Sequence, residues 1–189
     1  MRFTAQEEYG LRCMVQLARH ENNGPLTIQE ISRSEKLTTA YVGKLMRILR
    51  RGGLVRSIHG PTGGYRLPRL ASRISISEIL AILGGRLFEP RYCQKFSGDE
   101  TTCAHNAACS IRPLWGVLEA VTERILGRIT LANLASDERS TASWLHENVP
   151  VLHDLASSGA DEPHPWEPEL AGTGGRPRIG PASGTGKTP

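Results

Sequence analysis

Helical patterns and turns follow one another in an unusual order over the first 84 residues. Apolar residues recur at helical spacing over 5–20, 28–34 and 39–51. A β-rich run at 54–58 and its return at 65–67 enclose six residues that include three glycines and one proline, which is typical of a hairpin. Three helices followed directly by a hairpin are typical of a winged helix-turn-helix. We therefore predict a mainly α-helical fold with a small β-hairpin wing.

Two capping boxes mark helix starts within this segment. Thr27 precedes Glu30 by three residues, and Ser75 precedes Glu78 by the same spacing. In such a box the two side chains satisfy each other's backbone N–H groups at the first turn. The second box predicts a fourth helix over 76–83, so we assign residues 1–84 to one winged helix-turn-helix domain.

Charge is divided unevenly along the chain. Residues 1–73 hold 13 Lys and Arg against 5 Asp and Glu, a net charge of +8, and the remainder has a net charge of −4. A basic first third beside an acidic remainder favours a polyanionic partner, although a solvated basic face would give the same count.

Membrane insertion and export are not predicted. No run approaches 18 uncharged apolar residues, which a bilayer-spanning helix needs. The N-terminal stretch lacks the apolar core of a signal peptide. We therefore expect a cytoplasmic protein, in which cysteines serve as thiols or metal ligands rather than as disulfides.

The second helix of a helix-turn-helix places its N-terminal residues in the major groove of double-stranded DNA. Here those residues include Thr38, Thr39 and Lys44, whose side chains can reach bases or phosphates. The predicted phosphate contacts further along this helix are Arg47, Arg50 and Arg51. A solvated face is the alternative for the three arginines.

The wing supplies a second set of candidate contacts. Gly63 and Gly64 would let the turn approach the sugar-phosphate backbone closely, because we expect positive φ angles there that larger residues avoid. Arg56 or His59 would then face the minor groove.

The segment 85–109 has no helical or strand pattern and carries three of the four cysteines, Cys93, Cys103 and Cys109. Three thiolates on a loop can converge on one soft metal centre. Their spacing fits neither a zinc ribbon nor a redox pair. Free or zinc-bound thiols without a sensing role are the alternative. Cys13 lies on the apolar stripe of the first helix and is predicted to be a buried structural thiol.

A long dimerisation helix is predicted over 110–135. Its heptad-like seam consists of Leu114, Leu118, Val121 and Ile125, and Trp115, Leu126 and Ile129 widen it. A helix with so broad an apolar face commonly pairs with a copy of itself, so we expect a homodimer; packing within one chain is the alternative. Residues 136–189 are expected to be a weakly structured to disordered tail.

Several stretches together resemble the Rrf-two superfamily of bacterial regulators. They are residues 2–4, 9–12, 28–31, 41–45, 51–55 and the Gly-Pro-Thr-Gly-Gly-Tyr-Arg-Leu wing at 60–67. The resemblance covers residues 1–135 and implies a homodimer that binds a pseudo-palindromic operator as a transcriptional regulator, expected to be a repressor. His59 and Gly43 depart from the Arg and the polar residue of IscR-like members, so no operator sequence is carried over.

The resemblance also implies a cofactor. In IscR- and NsrR-like members a three-cysteine loop between the winged domain and the dimer helix holds an iron–sulfur cluster, and Cys93, Cys103 and Cys109 match that loop. We expect a 2Fe–2S rather than a 4Fe–4S cluster. The spacing between the first two cysteines is longer here than in IscR or NsrR.

The fourth ligand is the least defined part of this prediction. Arg112 stands where IscR-like members have His, and a guanidinium cannot ligate iron. Glu8 falls where NsrR-like sensors use an acidic side chain of the first helix, so it is our first candidate. His105 is the alternative, and Glu7, water or a small thiol remain open.

The sequence thus predicts a DNA-binding regulator that senses iron–sulfur cluster status, iron, or redox and nitrosative stress, with cluster-assembly genes as targets. The alternative is a winged-helix regulator that responds to a small molecule or protein partner. An enzyme is not predicted, since the sequence offers no nucleophile–base pair and no cofactor-binding loop.

Overall fold

The computed structural model describes residues 3–85, 103, 105 and 109–149. In chain order its elements are α1 (Ala5–Arg19), α2 (Ile28–Glu35), α3 (Thr39–Arg51), β1 (Arg56–Ile58), β2 (Gly64–Arg66), a 3-10 helix (Ala71–Arg73), α4 (Ile76–Leu83), α5 (Ile111–Leu126), α6 (Leu131–Leu134) and α7 (Glu138–Asn148). The strands β1 and β2 pair antiparallel. The predicted mainly α-helical fold with a hairpin wing is confirmed.

Both predicted capping boxes are present. The Thr27 backbone N–H donates to Glu30 Oε2 at 2.8 Å, and the Glu30 N–H donates to Thr27 Oγ1 at 3.2 Å. Ser75 and Glu78 repeat the arrangement at the start of α4. These local bonds fix where α2 and α4 begin, because they satisfy N–H groups that have no acceptor within the helix.

The helix-turn-helix and the wing share one core. Met14, Ile31, Leu45 and Ile79, from the four helices α1 to α4, are completely buried there. The wing is attached to the start of α2 by two backbone bonds between Leu26 and Tyr65, of 2.9 and 2.7 Å. The orientation of the hairpin is therefore set by the same core that positions α3.

The predicted continuous helix over 110–135 is wrong. α5 ends at Leu126, and the chain then runs antiparallel to the residues that precede α4. The Ile76 N–H donates to the Ile129 carbonyl at 2.9 Å, and the Leu131 N–H donates to the Ile74 carbonyl at 2.8 Å. Gly127 caps the end of α5, and the long-range bonds that follow place Ile129 in the core of the winged domain, so Ile129 does not widen the predicted dimer seam.

The predicted weak structure from residue 136 onward is also corrected in part. Residues Glu138–Asn148 form α7, whose first turn is capped by the Asp137 carboxylate, which accepts from the Ser140 N–H at 3.1 Å. Val149, directly after the helix, is buried. The predicted disorder over 150–189 falls on residues outside those described.

The capping carboxylates make stability depend on pH. The backbone bond from Thr27 lowers the pKa of Glu30, and the Ser140 side chain lowers the pKa of Asp137. Burial raises the pKa of Glu78, but hydrogen bonds from the Ser75 N–H and from Arg69 outweigh it, so this pKa too is lowered.

Because the unfolded chain binds these protons at a higher pH than the folded chain does, the stabilisation is complete near neutral pH. We expect it to be lost as the pH falls below about 4 and through the lowered pKa values. Thermal unfolding followed by circular dichroism between pH 7 and pH 3 measures the effect. A Glu30→Gln variant should be less stable at pH 7 and should show a smaller pH dependence; an unchanged dependence would contradict the assignment.

Candidate nucleic-acid interface and cysteine loop

The solvent-facing side of α3 carries the predicted DNA contacts. Thr38, Thr39 and Lys44 are exposed at its N-terminal end. Thr38 is the N-cap, and its Oγ1 accepts from the Tyr41 N–H at 3.3 Å, which leaves its hydroxyl hydrogen able to donate to a phosphate or a base. The N-cap and the first two turns of α3 thus present two hydroxyl groups and one ammonium group.

Arginines continue this face toward the end of α3. Arg47, Arg50 and Arg51 are all exposed, as the sequence predicts for phosphate contacts. Lys44, Arg47 and Arg51 recur every three or four residues, so they line one stripe of the helix. The opposite side of α3 holds the completely buried Leu45 and Leu49. The helix is therefore divided into a core face and a cationic face.

The wing contains a residue that the sequence analysis missed. Arg56 and Arg66 lie directly opposite each other in the antiparallel pair β1–β2, and both are exposed, as is His59 beyond β1. Like charges at directly opposed positions of a hairpin repel each other. The hairpin therefore presents a concentrated positive charge. Arg66 could have been recognised as a candidate contact only from the register of the hairpin, and the sequence did not define that register.

The two wing glycines differ in conformation. Gly64 has the predicted positive φ, at 159°, whereas Gly63 does not have a positive φ. A Cβ on Gly64 would lie 2.5 Å from the Leu26 carbonyl oxygen, and a Cβ on Gly63 would meet the carbonyl oxygen of Ile58. Gly60, in the same turn, also has a positive φ, at 113°.

Gly64→Ala should therefore damage the wing. The added methyl group collides with backbone at Leu26, which cannot move without disturbing the start of α2. We expect a loss of at least about 1 kcal/mol in the free energy of unfolding, measured by denaturant titration, together with weaker DNA binding. Thr62→Ala, at an exposed position of the same turn, is the matched control and should leave both unchanged. Normal stability of Gly64→Ala would mean that the wing is not held by this contact.

The cysteine loop is described only at some of its positions. Cys103 and Cys109 are half-buried thiols that form no disulfide, and His105 is exposed. Cys93 lies outside the described residues. Glu8, on the first turns of α1, is exposed. Among the described positions, no three His, Cys, Asp or Glu side chains come together as a metal site. The donor set nevertheless has the chemistry that an iron–sulfur cluster needs, since accessible thiolates are its usual ligands.

Cys13 is distinct from these thiols. It is completely buried on α1, and burial, followed by the charge of Glu35, raises its pKa to about 12. It is therefore protonated at neutral pH and unsuited to ligate a metal. The predicted burial of Cys13 is confirmed.

A helix-turn-helix with a cationic second helix, followed by a cationic hairpin, defines a winged helix-turn-helix DNA-binding protein. Residues 3–137 match the family model of Rrf2, described as an iron-dependent transcriptional regulator. The chain belongs to the Rrf2 family of transcriptional regulators, as its resemblance to the Rrf-two superfamily predicts.

Two similar proteins agree with this assignment. The protein rrf2 of Nitratidesulfovibrio vulgaris is 30% identical over 137 residues, which span 72% of this chain and 89% of that protein. The regulator IscR of Xenorhabdus nematophila is 32% identical over 138 residues, which span 73% of this chain and 81% of IscR. The similarity therefore extends beyond the winged domain.

Solved structures give the same fold. CymR, the global cysteine regulator of B. subtilis, superposes with a TM-score of 0.58 at 28% identity, over 72% of this chain and 99% of CymR. IscR of T. potens superposes with a TM-score of 0.55 at 27% identity, over 71% of this chain and 85% of IscR. No helix in the described ranges is long and apolar enough to cross a bilayer.

Proposed function

We propose that the chain is a homodimeric repressor that senses iron–sulfur cluster status and controls genes of cluster assembly. The observation that carries the proposal is the position of the cysteines along the chain. The segment that bears them connects α4 of the winged domain to α5, and Cys109 precedes the first residue of α5 by two positions. A cluster bound there would lie on the only covalent path from the dimer helix to the DNA-reading surface.

DNA binding is proposed to use α3 and the wing together. Thr38, Thr39 and Lys44 would contact bases or nearby phosphates in the major groove. Arg47, Arg50 and Arg51 would neutralise phosphates along the same groove. Arg56, Arg66 and His59 would meet the backbone or the minor groove, where the phosphates offset the repulsion within the hairpin.

Cluster binding is proposed for Cys93, Cys103 and Cys109. The cluster, as a 2Fe–2S centre, would supply a redox-active and labile group whose loss reports on iron and on oxidative or nitrosative stress. Glu8 is the proposed fourth ligand, because its carboxylate is exposed on α1 and accessible to a metal. His105, exposed within the loop, is the alternative.

Dimerisation is proposed through α5. Six large apolar side chains on this helix are exposed to solvent: Ile111, Leu114, Trp115, Val117, Leu118 and Val121. A contiguous apolar surface of this kind on one helix is characteristic of an interface rather than of a solvated surface. A second copy related by two-fold symmetry would match a pseudo-palindromic operator.

An anaerobic preparation tests the cluster directly. We expect a coloured protein with visible absorption, with iron and acid-labile sulfide in equal amounts, and a change in DNA affinity when the cluster is removed. A colourless protein that contains zinc or no metal, and whose DNA affinity does not respond to iron and sulfide, would refute cluster sensing without affecting the DNA-binding proposal.

Salt dependence tests the DNA contacts separately. Arg47→Ala should weaken binding and lower the slope of log K against log salt by about one, because one phosphate contact is lost. Arg128→Ala is the control, since Arg128 is exposed outside the winged domain's reading surface. Equal slopes for both variants would remove Arg47 from the interface.

A cavity supports the second candidate, a regulator of small-molecule response whose cysteines are free or zinc-bound. It has a volume of about 230 Å³ between α1, α4 and α5, and Leu80, Ile125 and Leu126 contribute apolar walls while Glu7 and Glu123 contribute carboxylates. The similarity to CymR agrees with this candidate. It predicts the colourless protein of the anaerobic test.

A further inference from the structure

Five side chains from three helices contact one another in a continuous series that ends on α3, the helix that carries the predicted base contacts (the reading helix). Arg12 Nε donates to Glu35 Oε2 at 2.6 Å, and its guanidinium carbon lies 5.4 Å from the centre of the Tyr9 ring. The Tyr9 and Tyr41 rings meet edge to face, with centroids 6.0 Å apart and an interplanar angle of 86°. The Lys44 ammonium lies 5.9 Å from the centre of the Tyr41 ring.

The series is anchored at its buried end. Glu35 is only 7% exposed, and a carboxylate so placed requires hydrogen-bond donors. Arg12 supplies one, and Gln16 Nε2 supplies another at 2.6 Å. Arg12 also donates through Nη2 to the Glu35 backbone carbonyl at 3.3 Å. Although its side chain is 44% exposed, the Arg12 guanidinium is therefore held in one place, and its pKa is raised by the hydrogen bond to Glu35.

The series passes from a fixed cation to a cation that would otherwise move freely. The Arg12 guanidinium fixes the Tyr9 ring through its face, and the edge-to-face contact fixes Tyr41 in turn. Lys44 is exposed and carries a four-carbon stem whose rotamer freedom must be given up when it binds a ligand. Contact with the face of the Tyr41 ring restricts that freedom before DNA arrives, which lowers the entropic cost of binding.

We propose that Tyr41, supported by Tyr9 and Arg12, is a positioning residue that orders Lys44 for its contact with DNA. The inference rests on the proposed function, because it requires that Lys44 contacts DNA. It adds a role for three side chains that do not themselves lie on the cationic stripe. It also makes the position of the Lys44 side chain on α3 depend on residues of α1, the helix that bears Glu8.

A double-mutant cycle tests the coupling between Tyr41 and Lys44. The probe is a labelled duplex selected by the wild-type protein from a random pool, and the readout is fluorescence anisotropy. We expect Lys44→Ala to weaken binding about tenfold in the wild-type background but only about threefold in the Tyr41→Leu background. Tyr41→Phe keeps the ring and should retain wild-type affinity and coupling.

The salt dependence separates positioning from a general structural role. Tyr41→Leu should leave the salt slope near that of the wild type, since Lys44 still carries its charge, whereas Lys44→Ala should lower it by about one. Tyr9 does not contact Lys44. A Tyr9→Leu background should nevertheless reduce the loss of affinity caused by Lys44→Ala, as the Tyr41→Leu background does. This second variant keeps the test decisive if Tyr41→Leu folds poorly by circular dichroism.

Equal losses from Lys44→Ala in both backgrounds would overturn the proposal, as would a Tyr41→Phe variant that behaves like Tyr41→Leu. A Lys44→Ala variant with full affinity would also overturn it while leaving DNA binding intact. Failure of the wild-type protein to select any duplex would instead refute the proposed function itself.

Discussion

Replacing either Cys103 or Cys109 with Ala should leave a protein that no longer assembles a cluster. A soft iron centre would lose a charged thiolate, and a carboxylate or imidazole nearby is a poorer substitute for it. Cys93→Ala should have the same effect. The one cysteine outside the proposed ligand set, Cys13, is completely buried with its pKa raised to about 12, so it cannot replace the missing ligand. The measurement is visible absorption with iron and sulfide content after anaerobic reconstitution.

Cys13→Ala is the matched control, since it removes a thiol without removing a proposed ligand. It should retain full absorption and differ mainly in thermal stability. Full cluster content in the Cys103→Ala or Cys109→Ala variant would refute the proposed ligand set.

The fourth ligand should behave differently. Glu8→Ala should assemble a cluster that decays faster in air or nitric oxide, because a carboxylate is a hard and exchangeable ligand for iron. His105→Ala should then be close to wild type. The reverse pattern would transfer the role to His105 and leave the cysteine site unaffected.

A similarly large effect is expected for Leu118→Glu, which should convert the proposed dimer into a monomer. Leu118 is 43% exposed in the single chain, so a carboxylate is tolerated there until a second copy covers it. Burial of an unpaired charge in an apolar seam costs several kcal/mol, enough to raise the dimer dissociation constant at least about a hundredfold. Light scattering combined with size-exclusion chromatography gives the mass.

Ala120→Glu provides the control on the same helix. Ala120 is exposed, and helical spacing places it nearly opposite Leu118. This variant introduces the same charge and should remain a dimer. A stable dimer of Leu118→Glu would move the interface away from this face of α5.

The parts of the fold that could be predicted from sequence are those determined by neighbouring residues. The capping boxes at Thr27 and Ser75 act within one helical turn, so their residue types predict their geometry. The cationic residues of α3 could also be predicted, because a helix that buries Leu45 and Leu49 on one face exposes residues such as Arg47 on the other.

The parts that could not be predicted depend on residues that are distant in sequence. The apolar pattern of α5 continues to Ile129, and only the fold shows that this residue pairs with Ile76 and enters the core of the winged domain. Arg66 gained its significance from the register of the hairpin. In the same way, the sequence predicts Glu35 to be a charged surface residue, whereas the fold buries its side chain beside Arg12.

The bonds between the residues around the start of α4 and the residues around the end of α5 have a geometric consequence. The Ile76–Ile129 and Leu131–Ile74 bonds, together with the 2.9 Å bond from Ser77 Oγ to Glu123 Oε1, fasten the C-terminal end of α5 to the start of α4. If two α5 helices pair, each winged domain is attached rigidly to the dimer interface through its own α5. The distance between the two half-sites of the operator would then be fixed by protein geometry. Five base pairs inserted between the half-sites would rotate one of them to the far side of the duplex, where the second winged domain could not contact it.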